Sequence, residues 1–390
     1  MKKILMIVIM FFITNIITQN YCLAQSEIKV INVPKKVLST NLASKTNLPK
    51  TGFGNTWVFM VSLLEWEDKT VATFEKDGRI DSAIINFFLK NGVPSNQILS
   101  INDKNANTNT VRSEFIKFLS KAKKEDNLFF YYSGHGYINE KDKVCFATYK
   151  GDDWSAEEIV NTVNKNFAGN QAFFTADCCN SGGLTLEVQK YPKREYVALN
   201  SVLPTNLSTG NWTFSNALLY GLQGKNFIDY NNNGSITLDE LANYIDKEMA
   251  IVEQQKASYY IPNSMKNWEV SKNIPKTTNK LVGTHVYVDY DGEDYLGFIE
   301  EAGSNNNYKV RFYSYTNHEA EWLKFSRLKP FSCQKDYPIG TKVKALSNYD
   351  EKQYKGQITN KFLCLHLVHY NDYDSEWDEW LGPNKIEKLN

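Results

Sequence analysis

The stretch QAFFTADCCNSGGL, Gln171–Leu184, passes from a continuous apolar run to two adjacent cysteines and then to a turn of small residues. A short apolar run bounded by turn residues is the pattern of a strand buried on both faces of a sheet. NLFFYYS, Asn127–Ser133, is a second run of this kind, and it leads into Gly134-His135-Gly136. Helical patterns alternate with these runs. Ile80, Ala83, Ile84, Phe87 and Phe88 share one helical face, and Val111, Phe115, Phe118 and Leu119 share another. WVFMVSLL, Trp57–Leu64, and QILSI read as further strands. The alternation predicts an α/β fold with a mostly parallel sheet flanked by helices, in which sites lie at the carboxyl ends of the strands.

The chain has 390 residues, 42% of them hydrophobic, enough for more than one packed core. Lysine plus arginine and aspartate plus glutamate both number 44, so no net field favours nucleic acid as a partner. Met1-Lys2-Lys3, an apolar run over Ile4–Ile17 and the small-residue stretch ending at Ala24 read as a signal peptide, residues 1–24. Export to the periplasm or the extracellular space follows, with no membrane span in the mature chain. Residues 25–52 are polar, with scattered prolines, and read as a leader or pro-segment. Removal of Cys22 leaves Cys145, Cys178, Cys179, Cys333 and Cys364, an odd number, so at least one thiol is expected to be free.

Four of the five histidines lie beyond residue 280, which leaves His135 as the only imidazole available to chemistry in the α/β region. A thiol is mostly protonated at neutral pH, so a nucleophilic cysteine needs a basic neighbour. Two strand ends of one parallel sheet, bearing His135 and Cys179, would supply that pair. The residues alone leave other readings open: a small core cysteine, or a strained disulfide between Cys178 and Cys179. Zinc is disfavoured because no second ligand pair stands at the required spacing.

At these two motifs, over about Trp57 to Met265, the sequence resembles the caspase-like cysteine peptidases, most closely the metacaspases and their bacterial relatives. The resemblance implies a caspase-like domain over residues 53–270 that cleaves a peptide or protein substrate and needs no cofactor for its chemistry. Asp177 fills the first position of the family's nucleophile motif and Cys179 the third, so the resemblance makes Cys179 the nucleophile, His135 its partner, and Cys178 an inward-packing neighbour. Asn180 stands where metacaspases usually carry histidine. The resemblance further implies that the amides of Gly136 and Cys179 hold the oxyanion and that Asp177 selects arginine or lysine before the cut. It also makes Lys190, Lys193 and Arg194 possible processing points, since they lie where the family's two subunits join.

DYNNNGSITLDE, Asp229–Glu240, fits a twelve-residue calcium loop, with Asp229, Asn231, Asn233, Ser235 and Glu240 as ligands and Gly234 at the sharp turn. An asparagine-rich turn capping a helix is the alternative. Residues 271–280 read as a lysine-rich linker. Beyond it, residues 281–331 and 337–390 form an internal repeat of roughly 60 residues, in which Gly283 matches Gly340, Tyr295 matches Tyr354, and Glu321-Trp322-Leu323 matches Glu379-Trp380-Leu381. Two small all-β barrels are expected. The second resembles Tudor and chromo-barrel modules, which makes Tyr349, Tyr370, Tyr373, Trp377 and Trp380 a possible aromatic cage for an unknown ligand. The combined expectation is an exported cysteine endopeptidase whose barrels target it or recruit substrate. The competing expectation is an inactive caspase-like scaffold that acts as a secreted binding protein.

Overall fold

The structure is a computed structural model that describes residues 50–390, apart from 52, 54, 77, 78, 291, 314–319, 334 and 390. The expected signal peptide and most of the leader lie outside the described residues. In the α/β domain the chain runs β1 (Thr56–Ser62), α1 (Asp81–Lys90), β2 (Ile98–Asn102), α2 (Thr108–Leu119), β3 (Asn127–Ser133), α3 (Ala156–Asn166), β4 (Gln171–Asp177), α4 (Gly183–Gln189), β5 (Glu195–Asn200), α5 (Thr213–Leu222), α6 (Leu238–Glu248) and β6 (Ser258–Tyr260). The spatial order is β6-β5-β4-β3-β1-β2. Every pairing is parallel except that of β6 with β5.

The apolar runs are continuous because both sheet faces are covered. Phe129 packs on Phe53 and on Phe88 of α1, whereas its neighbour Phe130 turns to the opposite face, against Phe115 of α2 and Trp154. Alternation of side chains along a strand demands a large apolar residue at each such position. The seven residues of β1 are all buried, as are the last six of β3 and of β4. Side-chain caps fix two helix starts: Ser155 accepts from the amide of Glu158 at the start of α3, and Thr237 with Glu240 forms a capping box on α6.

The linker expected from residue 271 begins later. Residues Glu269–Lys272 pair with Ser235–Thr237 and with Lys50–Thr51, and the buried Ser271 hydroxyl donates to the carbonyls of Gly221 and Leu222 at 2.9 and 2.7 Å. Its backbone and hydroxyl are thus used by the fold.

Two five-stranded antiparallel sheets follow. In spatial order the first is Ala320–Lys324, Asn307–Phe312, Glu293–Ala302, His285–Tyr290 and Leu328–Pro330. The second is Glu379–Leu381, Leu365–Tyr370, Gln353–Phe362, Lys342–Leu346 and Ile386–Lys388. The repeat extends to backbone detail. Gly283 and Gly340 both have positive φ, 84° and 90°, and their amides donate to Ile299 and Ile358 at 2.8 Å. Each sheet closes on its own apolar cluster, around Val288 and Val310 in the first and Val343 and Val368 in the second.

The two β-modules differ in their surroundings. Ser332–Asn390 groups with the α/β domain in one compact unit, while Thr277–Phe331 belongs to another together with Asp68–Thr73. The expected cage residue Trp380 reflects this. Its indole is 1% exposed and faces Asp246 of α6, so it belongs to the packing of the second module on the α/β domain and not to an open cage. The corresponding Trp322 of the first module is 54% exposed. Cys333 and Cys364 form a disulfide within the second module, and Cys145, Cys178 and Cys179 are free thiols. Among the described residues no helix is long and apolar enough to cross a membrane.

Candidate active site

Ser133 at the end of β3 is the register partner of Asp177 at the end of β4. His135 and Cys179 each lie two residues further on, at the carboxyl edge of adjacent parallel strands. Gly134 makes the first turn possible. Its φ of +152° disfavours a side chain, and a Cβ there would stand 2.7 Å from the Tyr132 hydroxyl. That hydroxyl donates to the carbonyls of His135 and Ala147 at 2.8 and 2.7 Å, while the Tyr132 ring stacks on Phe146. The His135 ring lies against Trp66 and Phe74, with centroids 4.4 and 4.7 Å away.

The second turn touches the first. A Cβ on Gly136 would lie 1.8 Å from the carbonyl oxygen of Cys179 and 3.1 Å from the sulfur of Cys178. Only a glycine permits this backbone approach. Cys178 is buried as expected, and burial, with the neighbouring Cys179 and Asp177, pushes its thiol far up. The turn itself is tied to the end of β5. The Ser201 hydroxyl donates to the Cys178 carbonyl at 3.2 Å, and Ser181 Oγ accepts from the amide of Val202 at 3.1 Å.

Cys179 is half-buried, and its Sγ is engaged by the loop that follows β5. The Ser208 amide donates to it at 3.2 Å, and the thiol donates to the Ser208 carbonyl at 3.6 Å. Burial raises the Cys179 thiol and the Ser208 amide opposes that rise, so the resting sulfur is a neutral thiol that needs a proton acceptor before it can attack. Asn180 holds the same loop, through its amide to the Asn206 carbonyl and its Nδ2 to the Pro204 carbonyl, both at 2.8 Å. Its φ of +57° suits asparagine. The role of Ser208 had no sequence signal, because SVLPTNLSTGNW reads only as a polar loop.

Asp177 is buried and accepts from the Ser215 amide at 3.2 Å and from the Ser215 hydroxyl at 2.6 Å. Burial raises its carboxyl to about 6, with the Ser215 bonds opposing and Glu253 adding to the rise. It lines a cavity of only about 10 Å³ together with Phe74, Gly134, Thr209, Gly210 and Trp212, close to the volume one water molecule needs. A guanidinium could reach Asp177 only if residues 209–212 moved. Glu253, which the sequence did not single out, accepts from Asn211 at 3.2 Å and from the Thr213 hydroxyl, and burial raises it too.

The other expected sites lie apart. Lys190 pairs with Glu187 at 2.8 Å, the Arg194 guanidinium donates to the carbonyls of Asn164 and Gly169, and Lys193 is exposed. In the calcium-type loop the Asp229 carboxylate accepts from the amides of Asn233 and Gly234 at 3.0 and 2.8 Å, and Asn233 Oδ1 accepts from the Ser235 amide at 2.8 Å. Asn231 Nδ2 donates to Glu240 at 2.9 Å. Gly234 has a φ of +94°, as the sharp turn requires. Asp229 and Glu240 are the two carboxylates among the expected ligands, and among the described residues no group of three or more His, Cys, Asp or Glu could hold a metal. In the second β-module Tyr349, Tyr373 and Trp377 come together over the buried Tyr370, and Tyr354 joins them. Its match to Tyr295 in the repeat was the available signal for Tyr354.

A mostly parallel sheet whose third and fourth strands bring a histidine turn against a cysteine turn defines a caspase-type cysteine peptidase domain. The caspase domain family model matches residues 82–286, more than half of the chain, and the chain belongs to that family. No curated protein matches it. A solved structure of a protein from Geobacter sulfurreducens is similar, with 11% identity and a TM-score of 0.40, over 57% of this chain and 100% of that one.

Proposed function

We propose that this chain is a cysteine endopeptidase in which Cys179 attacks the peptide carbonyl and His135 moves the proton. His135 takes the thiol proton as the carbon–sulfur bond forms, then delivers it to the leaving amine as the carbon–nitrogen bond breaks. Water releases the acyl group. The oxyanion is held by the amides of Gly136 and Cys179. The observation that carries this reading is the backbone contact between Gly136 and Cys179, which joins the two turns at one sheet edge.

The buried Asp177 supports cleavage after arginine or lysine, because a carboxylate without a basic partner would gain a charge-assisted contact from a guanidinium or ammonium. The small volume of the cavity above it and the Ser208 bonds to the thiol support a latent resting form, opened when residues 208–212 move. Lys193, exposed in the short connection from α4 to β5, is a self-cleavage point open to attack. Calcium binding at Asp229–Glu240 is supported by the turn geometry, and export by the signal-peptide pattern of residues 1–24 and by the Cys333–Cys364 disulfide. Fluorogenic peptides differing only in the residue before the cut test the reading. Turnover after arginine and lysine is expected, and preference for aspartate would refute it.

A further inference from the structure

The three-residue strand that follows His135 is held along one edge and open along the other. Gly136–Ile138 pairs antiparallel with Val144–Phe146, which pairs in turn with Trp154–Ser155, so Gly136–Ile138 is the outer strand of this small sheet. The Ala147 amide donates to the His135 carbonyl and the Asn139 amide to the Lys143 carbonyl, both at 2.9 Å. In an antiparallel pair only alternate residues exchange hydrogen bonds, and the main-chain groups of the residues between them point to the other edge. His135, Tyr137 and Asn139 therefore face Val144–Phe146. The amides and carbonyls of Gly136 and Ile138 point away from it, to an edge that no strand of the described residues pairs with. An uncommitted row of this kind is a template for one more strand.

The strand is fixed before any such partner arrives. The Tyr137 hydroxyl and Asn139 Nδ2 both donate to the Asp153 carboxylate, at 2.6 and 2.7 Å. Asn139 Oδ1 closes the hairpin by accepting from the amides of Lys141 and Lys143 at 3.0 Å. A preordered edge loses little entropy on binding, which favours capture of an extended chain through its backbone. Ile138, at the far end, is 47% exposed.

The direction of the added chain follows from what lies at each end. Gly134 lines the cavity at Asp177, where the peptidase reading places the side chain before the cut, and in that reading the Gly136 amide holds the carbonyl of the same residue. Ile138 lies beyond both. A substrate passing from the Asp177 end across the Gly136 amide and onward runs parallel to Gly136–Ile138. Parallel pairing from that first bond puts the carbonyl of the second residue after the cut on the Ile138 amide, and the amide of the fourth on the Ile138 carbonyl. We propose that the open edge of Gly136–Ile138 binds the segment of the protein substrate after the cut as an added strand, held through its main chain. The site thereby selects extended segments without selecting their side chains. This inference rests on the peptidase reading.

Binding is measured by fluorescence anisotropy with the full-length Cys179→Ala chain and labelled peptides that share two alanines and an arginine. One ends there as an amide, and one continues with four alanines. The longer peptide is expected to bind about tenfold more tightly, as two main-chain hydrogen bonds allow. On the same protein, a tail of three alanines and a proline lacks the fourth amide hydrogen and should lose about threefold of that gain. Ile138→Pro deletes the outward amide, a change an edge strand accepts, and should also lose about threefold or more, whereas Ile138→Ala keeps the main chain and the gain. Melting temperatures are taken on the same samples. Equal binding of all three peptides by the parent chain would overturn the proposal and leave the peptidase reading standing, and binding of none would overturn both. Equal loss in Ile138→Ala and Ile138→Pro would assign the gain to the side chain and contradict the main-chain account. A dimer in sedimentation that Ile138→Pro dissociates would give the edge to a second copy of this chain and overturn the proposal as well.

Discussion

Gly136→Ala is the sharpest single perturbation of the contact on which the site depends. A Cβ there would begin 1.8 Å from the Cys179 carbonyl oxygen and must reach at least 3.0 Å, an opening of about 1.2 Å between the two turns. The obstacle is backbone, so no side chain can swing aside to relieve it. A displacement of about 1 Å between reacting groups can lower a rate by about a hundredfold, and overpacking of this kind costs about 1–3 kcal/mol of stability. The assay is the second-order rate of inactivation by an arginyl chloromethyl ketone, with thermal denaturation run on the same samples. A folded variant inactivated about a hundredfold more slowly than wild type is expected. A rate within about threefold of wild type, with a normal melting temperature, would refute the claim that this contact aligns the site.

Asp177→Asn should stabilise the chain near neutral pH. Burial raises the carboxyl from 3.8 to about 6, so the folded state binds the proton more tightly than the unfolded state, and stability falls as pH rises through that interval. The gain from Asp177→Asn, up to roughly 3 kcal/mol above pH 6, should vanish below pH 4 in denaturant titrations; a pH-independent difference would speak against the buried, ionised aspartate. Removal of residues 332–390 should lower turnover of small peptides several-fold, because it deprives Thr205 of the Glu376 carbonyl that holds the catalytic loop and Lys247 of α6 of the Phe362 ring; unchanged turnover by a folded truncation would mean the loop holds without the module. Calcium should raise the melting temperature of wild type by stabilising the folded state alone, and Asp229→Ala should abolish that rise; equal shifts in both proteins would exclude this loop.

The parts of the site that were legible in the sequence are those where backbone geometry restricts residue choice. Gly134 and Gly136 had to be glycines, the first for its φ and the second for its approach to Cys179. The continuous apolar runs of β3 and β4 announced strands covered on both faces. Other features depend on partners far apart in the chain and leave no local trace. Ser208 reaches Cys179 from a loop whose residues suit any polar turn, and Thr205 meets Glu376 across 171 positions. Trp322 and Trp380 occupy matched places in the repeat, yet one is exposed and the other buried, because Trp380 packs against α6. Cysteine parity gave at least one free thiol but could not choose Cys333 and Cys364 as the bonded pair. The linker misread at Ser271 has the same origin, since its serine and lysines resemble a tether until the hydroxyl finds the end of α5.

The central claim is that Cys179, served by His135, is the nucleophile of a cysteine peptidase. Mass spectrometry after exposure to a peptidyl chloromethyl ketone with arginine at its reactive end tests it most directly, on wild type, Cys179→Ala and His135→Ala. The account predicts one adduct in wild type, located on Cys179 and absent from Cys179→Ala, with labelling slowed about a hundredfold or more in His135→Ala. An adduct on Cys145 or Cys178, or equal labelling rates in wild type and His135→Ala, would contradict it.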